Sequence, residues 1–247
     1  MMNKNLWEEL KNWKNNCEWI ELSHEVSPNT PHWDGFPDMS MKTIFDFDTT
    51  IFQVYEHTIV SQYGTHVDAP VHFVKGASGL DIFTPKDLVM PLCVIDKSEI
   101  AAENADYSLT KQDILDWEDK FGKIPENAFV AFRTDWYKKE TSEKMDNKDD
   151  AGNKHYPGWG IDALKFLVEE RNIAAIGHEQ SDTDAPVVSS VDGYVGEYYI
   201  LNKGKFQIEL LKNLDKCSPV GGLIFTTFPK VKNGSGFTAR CFAVCPK

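Results

Sequence analysis

The densest chemistry in the chain lies between positions 62 and 72, which read Gln62-Tyr63-Gly64-Thr65-His66-Val67-Asp68-Ala69-Pro70-Val71-His72. If this stretch is extended, Gln62, Gly64, His66 and Asp68 share one face, because strand side chains alternate with a period of two. Such a face presents an amide, an imidazole and a carboxylate in line. Imidazole nitrogen and carboxylate oxygen are good ligands for Zn²⁺ or Mn²⁺, and an amide oxygen is an acceptable harder one. Gly64 leaves room beside them, Pro70 ends regular pairing, and His72 follows where the chain can turn back towards the same pocket. A His-x-Asp pair on a strand is equally compatible with a solvent-facing polar stripe, so the residues alone leave metal binding open.

The elements that would carry this segment are short. Apolar runs over 19–22, 92–95, 128–132, 173–176, 223–225 and 241–244, punctuated by Pro and Gly, predict buried strands. Helices are expected over 110–121, opened by Thr110 as N-cap with Asp113 at the third position, and over 161–171, with Leu164, Leu167 and Val168 on one face. Leu6, Leu10 and Trp13 recur at helical spacing, so residues 1–17 are expected to form a helical extension packed on the body. Strands mixed irregularly with few helices point to an α/β or α+β fold, and 247 residues suit one domain over 1–247. The segment 138–155, rich in Lys, Asp and Glu, is expected to be an exposed loop, or else a lid.

Composition removes several function classes. A formal charge of -12 disfavours nucleic acid, whose binders need a basic surface, and no stretch is apolar enough to span a membrane. There is no glycine-rich dinucleotide fingerprint, no Walker loop and no G-x-S-x-G elbow. Cys17, Cys93, Cys217, Cys241 and Cys245 are odd in number and contain no CxxC pair, which predicts reduced, structural thiols and a cytoplasmic location.

The run from Gly64 to Phe73 resembles the signature of the cyclase family of metal-dependent hydrolases. The similarity extends through Leu22-Ser23-His24, Pro31-His32-Trp33-Asp34-Gly35, Arg133-Thr134-Asp135-Trp136, Pro157-Gly158-Trp159, Gly177, Asp184 and the stretch 236–244. The resemblance implies a swivelling β/β/α-type fold with a mixed β-sheet core. It also implies a homodimer or homotetramer, and hydrolysis of a small amide, lactam or lactone by metal-activated water. One or two divalent ions, Mn²⁺ or Zn²⁺ with Mg²⁺ as a further candidate, would serve as cofactor.

Carried over residue by residue, the resemblance makes His66 and Asp68 metal ligands and His72 the acid/base group. The first ligand position, a histidine in the family, is Gln62 here. A further pair twelve residues apart falls on Glu197 and Glu209, the former again in place of histidine. Exchanging imidazole for oxygen donors favours a harder ion. Trp33, Phe36, Trp159 and His178 are candidates for lining the substrate pocket. Two other readings remain at this stage: a lyase or isomerase using the same metal, and a decayed small-molecule binding protein.

Overall fold

The computed structural model describes residues 5–247. Among these residues thirteen strands follow in chain order: β1 Cys17–Glu21, β2 Ser40–Phe45, β3 Val54–Thr58, β4 His66–Asp68, β5 Val89–Asp96, β6 Ser108–Leu109, β7 Phe129–Arg133, β8 Gly158–Trp159, β9 Ala175–His178, β10 Phe206–Glu209, β11 Gly222–Thr227, β12 Gly236–Thr238 and β13 Arg240–Pro246. Nine form one mixed sheet in the order β1-β13-β11-β5-β7-β9-β10-β4-β12. Its central strands β5, β7, β9 and β10 are parallel, and the flanking pairs are antiparallel. Each of the six apolar runs read from the sequence overlaps a strand of this sheet, although Ile173 and Ala174 precede β9. Parallel strands are covered on both faces, which is why Phe129, Val130, Ala131 and Phe132 are apolar without interruption and all fully buried.

Alternation along these strands feeds two cores. Leu92, Val94, Phe129 and Ala131 enter one, while Cys93, Ile95, Val130 and Phe132 enter the other. The helices among the described residues are α1 Leu6–Asn16, α2 Ser98–Glu103, α3 Lys111–Phe121, α4 Ser142–Asp146, α5 Ile161–Arg171, α6 Pro186–Asp192 and α7 Val195–Asn202. The second core is closed by α3, α5 and α7, which contribute Ile114 and Trp117, Leu164 and Leu167, and Ile200 and Leu201. Expected and observed bounds of α3 and α5 coincide because their ends are chemically marked. Thr110 and Asp113 form a reciprocal capping box at α3, and Asn172 ends α5 in the left-handed region. No helix among the described residues is long and apolar enough to cross a membrane, and all five cysteines are free thiols.

Two expectations need correction. The N-terminal helix α1, Leu6–Asn16, buries none of its residues, so its apolar spacing does not report packing against the body; residues 1–4 of the predicted extension lie outside the described residues. The segment 138–155 is no simple exposed loop. It contains a short helix, Ser142–Asp146, and the buried Met145 packs with Trp136, Tyr156 and Leu210. The Trp136 indole N–H donates to the Met145 carbonyl at 2.8 Å. Met145 thus gives a segment otherwise rich in charge a foothold in the core.

The α3 cap supplies a stability test. Burial raises the Asp113 carboxyl, but hydrogen bonds from Lys97, Thr110 and Tyr107 outweigh this and hold it at about 2. A depressed carboxylate contributes stability above its unfolded value of 3.8 and loses it as pH falls towards about 2. Asp113→Asn should therefore cost about 1–2 kcal/mol at neutral pH, and the cost should shrink across that acid window in urea titrations.

Candidate active site

The backbone brings the site together differently from a continuous strand over 62–68. Gly64 turns the chain with φ of +62°, and only His66–Asp68 is strand. An added Cβ at Gly64 would lie 2.7 Å from Thr30 and would sit on a conformation that L residues rarely adopt. Strand β4 is paired on both sides. Across it, Glu209 of β10 stands opposite His66 and Gln207 opposite Asp68, while Gly236 and Thr238 of β12 flank the other edge. Directly opposed residues point to the same face, so pairing between segments some 140 positions apart collects one imidazole, two carboxylates and an amide.

The electrostatics of this face favour a cation. His66 Nδ1 lies 2.8 Å from the Gly64 carbonyl, which holds the proton on that nitrogen and turns Nε2 inward. There Nε2 is 3.4 Å from Asp68 Oδ2 and 3.4 Å from Glu209 Oε2, so three lone-pair donors converge. Burial opposes charging His66, but Asp68 and Glu209 outweigh it and lift the imidazole well above its usual range. Burial, followed by repulsion from Glu209 and Asp68, pushes Glu197 well above the carboxylate range.

Gln207, fully buried, answers part of this charge. Its amide nitrogen faces Asp68 Oδ2 at 3.3 Å, Glu197 Oε1 at 3.0 Å and Glu209 Oε1 at 3.0 Å, which is three acceptors for two hydrogens. Asp68 Oδ1 is buried with no hydrogen-bond partner. Two overlapping groups have ligand atoms close enough to share an ion: His66, Asp68 and Glu209, all buried, and Asp68, His72 and Glu197. Nitrogen plus carboxylate oxygen, with an orphaned buried oxygen among them, fits a divalent metal.

These groups open onto a cavity of about 230 Å³. Gln62, His66, His72, Glu197 and Glu209 line it, as do Trp33 and Phe36, whose rings meet edge to face at 5.0 Å. His72, brought in by the one-turn 3₁₀ segment Pro70–His72, points Nε2 at Asp68 Oδ1, 3.7 Å away. Trp159 and His178, expected in the pocket, do not line it. Trp159 packs on Phe132 in the core and donates its indole N–H to His178 Nδ1 at 3.2 Å, while His178 Nε2 backs Glu209 at 3.5 Å. Both stand behind the site rather than in it.

Several lining residues were not singled out from the sequence as pocket residues: Phe73, Ser181, Asp182, Tyr194 and Leu210. Asp182 accepts a hydrogen bond from the Tyr156 hydroxyl, and burial with the nearby Glu209 raises its carboxyl to about 8. Asp184 accepts the Gly196 and Glu197 backbone N–H groups at 2.7 and 2.9 Å, which fixes the first turn of α7 and so the approach of Glu197.

A family model described as "Putative cyclase" matches residues 20–185. The chain belongs to the cyclase family. It is 29% identical over 244 residues to an isatin hydrolase of Roseibium aggregatum, covering 93% of this chain and 92% of that protein. The structure of isatin hydrolase A from Labrenzia aggregata bound to benzyl benzoate superposes with a TM-score of 0.90 at 30% identity, covering 98% and 99% of the two chains. An isatin hydrolase bound to the product analogue thioisatinate gives 0.92 at 27% identity over the full length of both. The mixed sheet and its helices are thus the cyclase fold that the motif resemblance implied.

In this cyclase the aromatic wall of the cavity is clipped from outside. Lys148 and Lys154 each reach Asp34, next to Trp33, at 2.7 Å, and the buried Asp146 at 3.3 and 3.1 Å. The His32 backbone N–H donates to Ser142 Oγ at 3.0 Å. The charged segment 138–155 therefore buttresses the Trp33–Phe36 loop. Asp34→Asn should speed amide hydrogen exchange in both segments while leaving β4 and β10 unchanged, as mass spectrometry can follow.

A cation that binds the folded site alone must also raise stability. Mn²⁺ or Zn²⁺ at a hundredfold excess over its Kd should add about 2.7 kcal/mol, seen as a higher Tm, and Asp68→Asn should abolish the increment.

Proposed function

We propose that this protein is a metal-dependent hydrolase that opens a small cyclic amide of the isatin type, cleaving the lactam C–N bond with water. The observation that carries the reading is the convergence of His66 Nε2, Asp68 Oδ2 and Glu209 Oε2 at the floor of a small aromatic-walled cavity with His72 at its side. The isatin hydrolases that resemble this chain over nearly their whole length supply the substrate class.

We assign the resident ion to His66, Asp68 and Glu209. With one imidazole and two carboxylates this set suits Mn²⁺ at least as well as Zn²⁺. Bound there, the ion would lower the pKa of a water and polarise the substrate carbonyl. The chain's own groups do the rest. Trp33 and Phe36 offer ring faces and edges to a planar substrate and exclude bulk water. His72 Nε2 accepts the proton released as the water oxygen bonds to the carbonyl carbon, then delivers it to the nitrogen as the C–N bond breaks, leaving an amine and a carboxylic acid that loses the second water proton to solvent. Asp68 Oδ1, 3.7 Å from Nε2, stabilises the imidazolium between the two steps.

Gln62 and Glu197, which suggested a decayed binding protein, both line the cavity beside an intact His66–Asp68–Glu209 set, and the decayed-site reading gains nothing from them. We extend the proposal to a cytoplasmic homo-oligomer acting on small molecules.

Isatin incubated with Mn²⁺-loaded protein in ¹⁸O-labelled water should yield the ring-opened acid carrying one labelled oxygen. Turnover without label would sink hydrolysis and favour a lyase. His72→Ala should lower kcat by roughly 10²-fold or more while the protein keeps its metal. Elemental analysis should give one ion per chain; two would move His72 into the ligand set.

A further inference from the structure

Gln62 stands where the family places a histidine ligand, yet its contacts commit it elsewhere. Its amide lies between two hydroxyls and one ring: Nε2 is 3.3 Å from His72 Nδ1 and 3.3 Å from Ser235 Oγ, and Ser61 Oγ donates to Oε1. The fit is close. An added Cβ at Gly236 would come within 2.6 Å of Gln62 Nε2, so the glycine after Ser235 is what leaves space for this amide.

We propose that Gln62 is a positioning residue that holds His72 in its reactive tautomer and is not a metal ligand. This rests on the reading of His72 as the proton carrier. For Nε2 to accept a proton from water, it must carry the lone pair, and the ring hydrogen must sit on Nδ1. The amide provides the acceptor when Oε1 faces the ring. The two ends of an amide have nearly the same shape, so turning it keeps every contact, and each flanking serine hydroxyl can donate or accept as required. In that orientation Oε1 accepts from His72 Nδ1–H and from the Ser235 hydroxyl, while Nε2 donates to Ser61. Both oxygen lone pairs are then used and none remains for an ion. When His72 becomes imidazolium, Nδ1–H still needs this acceptor, so the contact persists through the proton transfer.

The ligand and positioning roles separate experimentally. Gln62→Leu should retain metal stoichiometry and affinity within about twofold, yet lose roughly 10- to 100-fold in kcat with little change in KM, the size expected when the partner of an active-site imidazole is removed. Gln62→Glu, which still accepts from Nδ1–H, should recover most of that activity without tightening metal binding. Independently of any substrate, ¹⁵N spectra of the Zn²⁺-loaded protein should show His72 protonated on Nδ1 in the native chain and in Gln62→Glu, and a mixture of tautomers in Gln62→Leu. Metal affinity falling tenfold or more in Gln62→Leu would restore Gln62 to the ligand set and overturn the proposal. An unchanged His72 spectrum in Gln62→Leu would overturn it as well. Failure of every lactam to react would instead count against the hydrolase reading, leaving the metal and ¹⁵N measurements to decide the role of Gln62.

Discussion

The burial of Asp68 is the constraint on which the site turns. Its carboxylate lies in a strand hydrogen-bonded on both edges, with almost no exposed surface, and withdrawing such a charge from water costs several kcal/mol unless it is compensated. The neighbours read as compensation. His66 and His72 hold its carboxyl below the ordinary range against the upward push of burial, and Gln207 donates to one oxygen while the other is left for something positive. Because Glu197 and Glu209 crowd the same amide, adding acid groups here increases the demand for a cation instead of relieving it.

Behind this face a second set of polar contacts keeps the floor rigid. Glu179, just past the end of β9, accepts the Thr134 and Trp136 backbone N–H groups at 3.0 Å each and ties the turn after β7 to the site; burial raises its carboxyl to about 8. Leu210, immediately after Glu209, has φ of +53°, unfavourable for a branched apolar residue. Its N–H donates to the Gln180 carbonyl and its carbonyl accepts from Thr65. Strain of this kind persists where surrounding contacts over-determine the backbone, and it fixes the chain beside a residue that lines the cavity.

How much of this was legible in the sequence follows from the range of the interactions. The parallel strands and the helices α3 and α5 declare themselves locally, through uninterrupted apolar runs and a capping box. His66, Asp68 and His72 stood out because seven consecutive residues hold them, their roles came from resemblance together with Glu197 and Glu209, and Trp33 and Phe36 came from aromatic residue type. Gln207 did not, since a four-residue strand reading Phe-Gln-Ile-Glu carries too short a pattern, and three of its partners, Asp68, Thr183 and Glu197, lie on other segments. The extended reading of 62–68 failed at Gly64, whose turn replaces strand alternation as the device that delivers Gln62. Trp159 and His178 show the opposite error: residue types suited to a pocket, placed one layer behind it by the packing of β8 and β9.

The clip formed by Asp34, Asp146, Lys148 and Lys154 also bears on how such a protein can change over time. The groups that would hold an ion are locked into paired strands, where almost any replacement disturbs two neighbours at once. The aromatic wall belongs to a segment outside the sheet, held by an ion-pair cluster in which only Asp146 is buried. The inner edge of that segment stays tied to the floor, where His32 stacks on Tyr63 at 4.5 Å and Thr30 packs against Gly64, so a lineage acquires a new ring preference most freely by rewriting the outer loop and its tether.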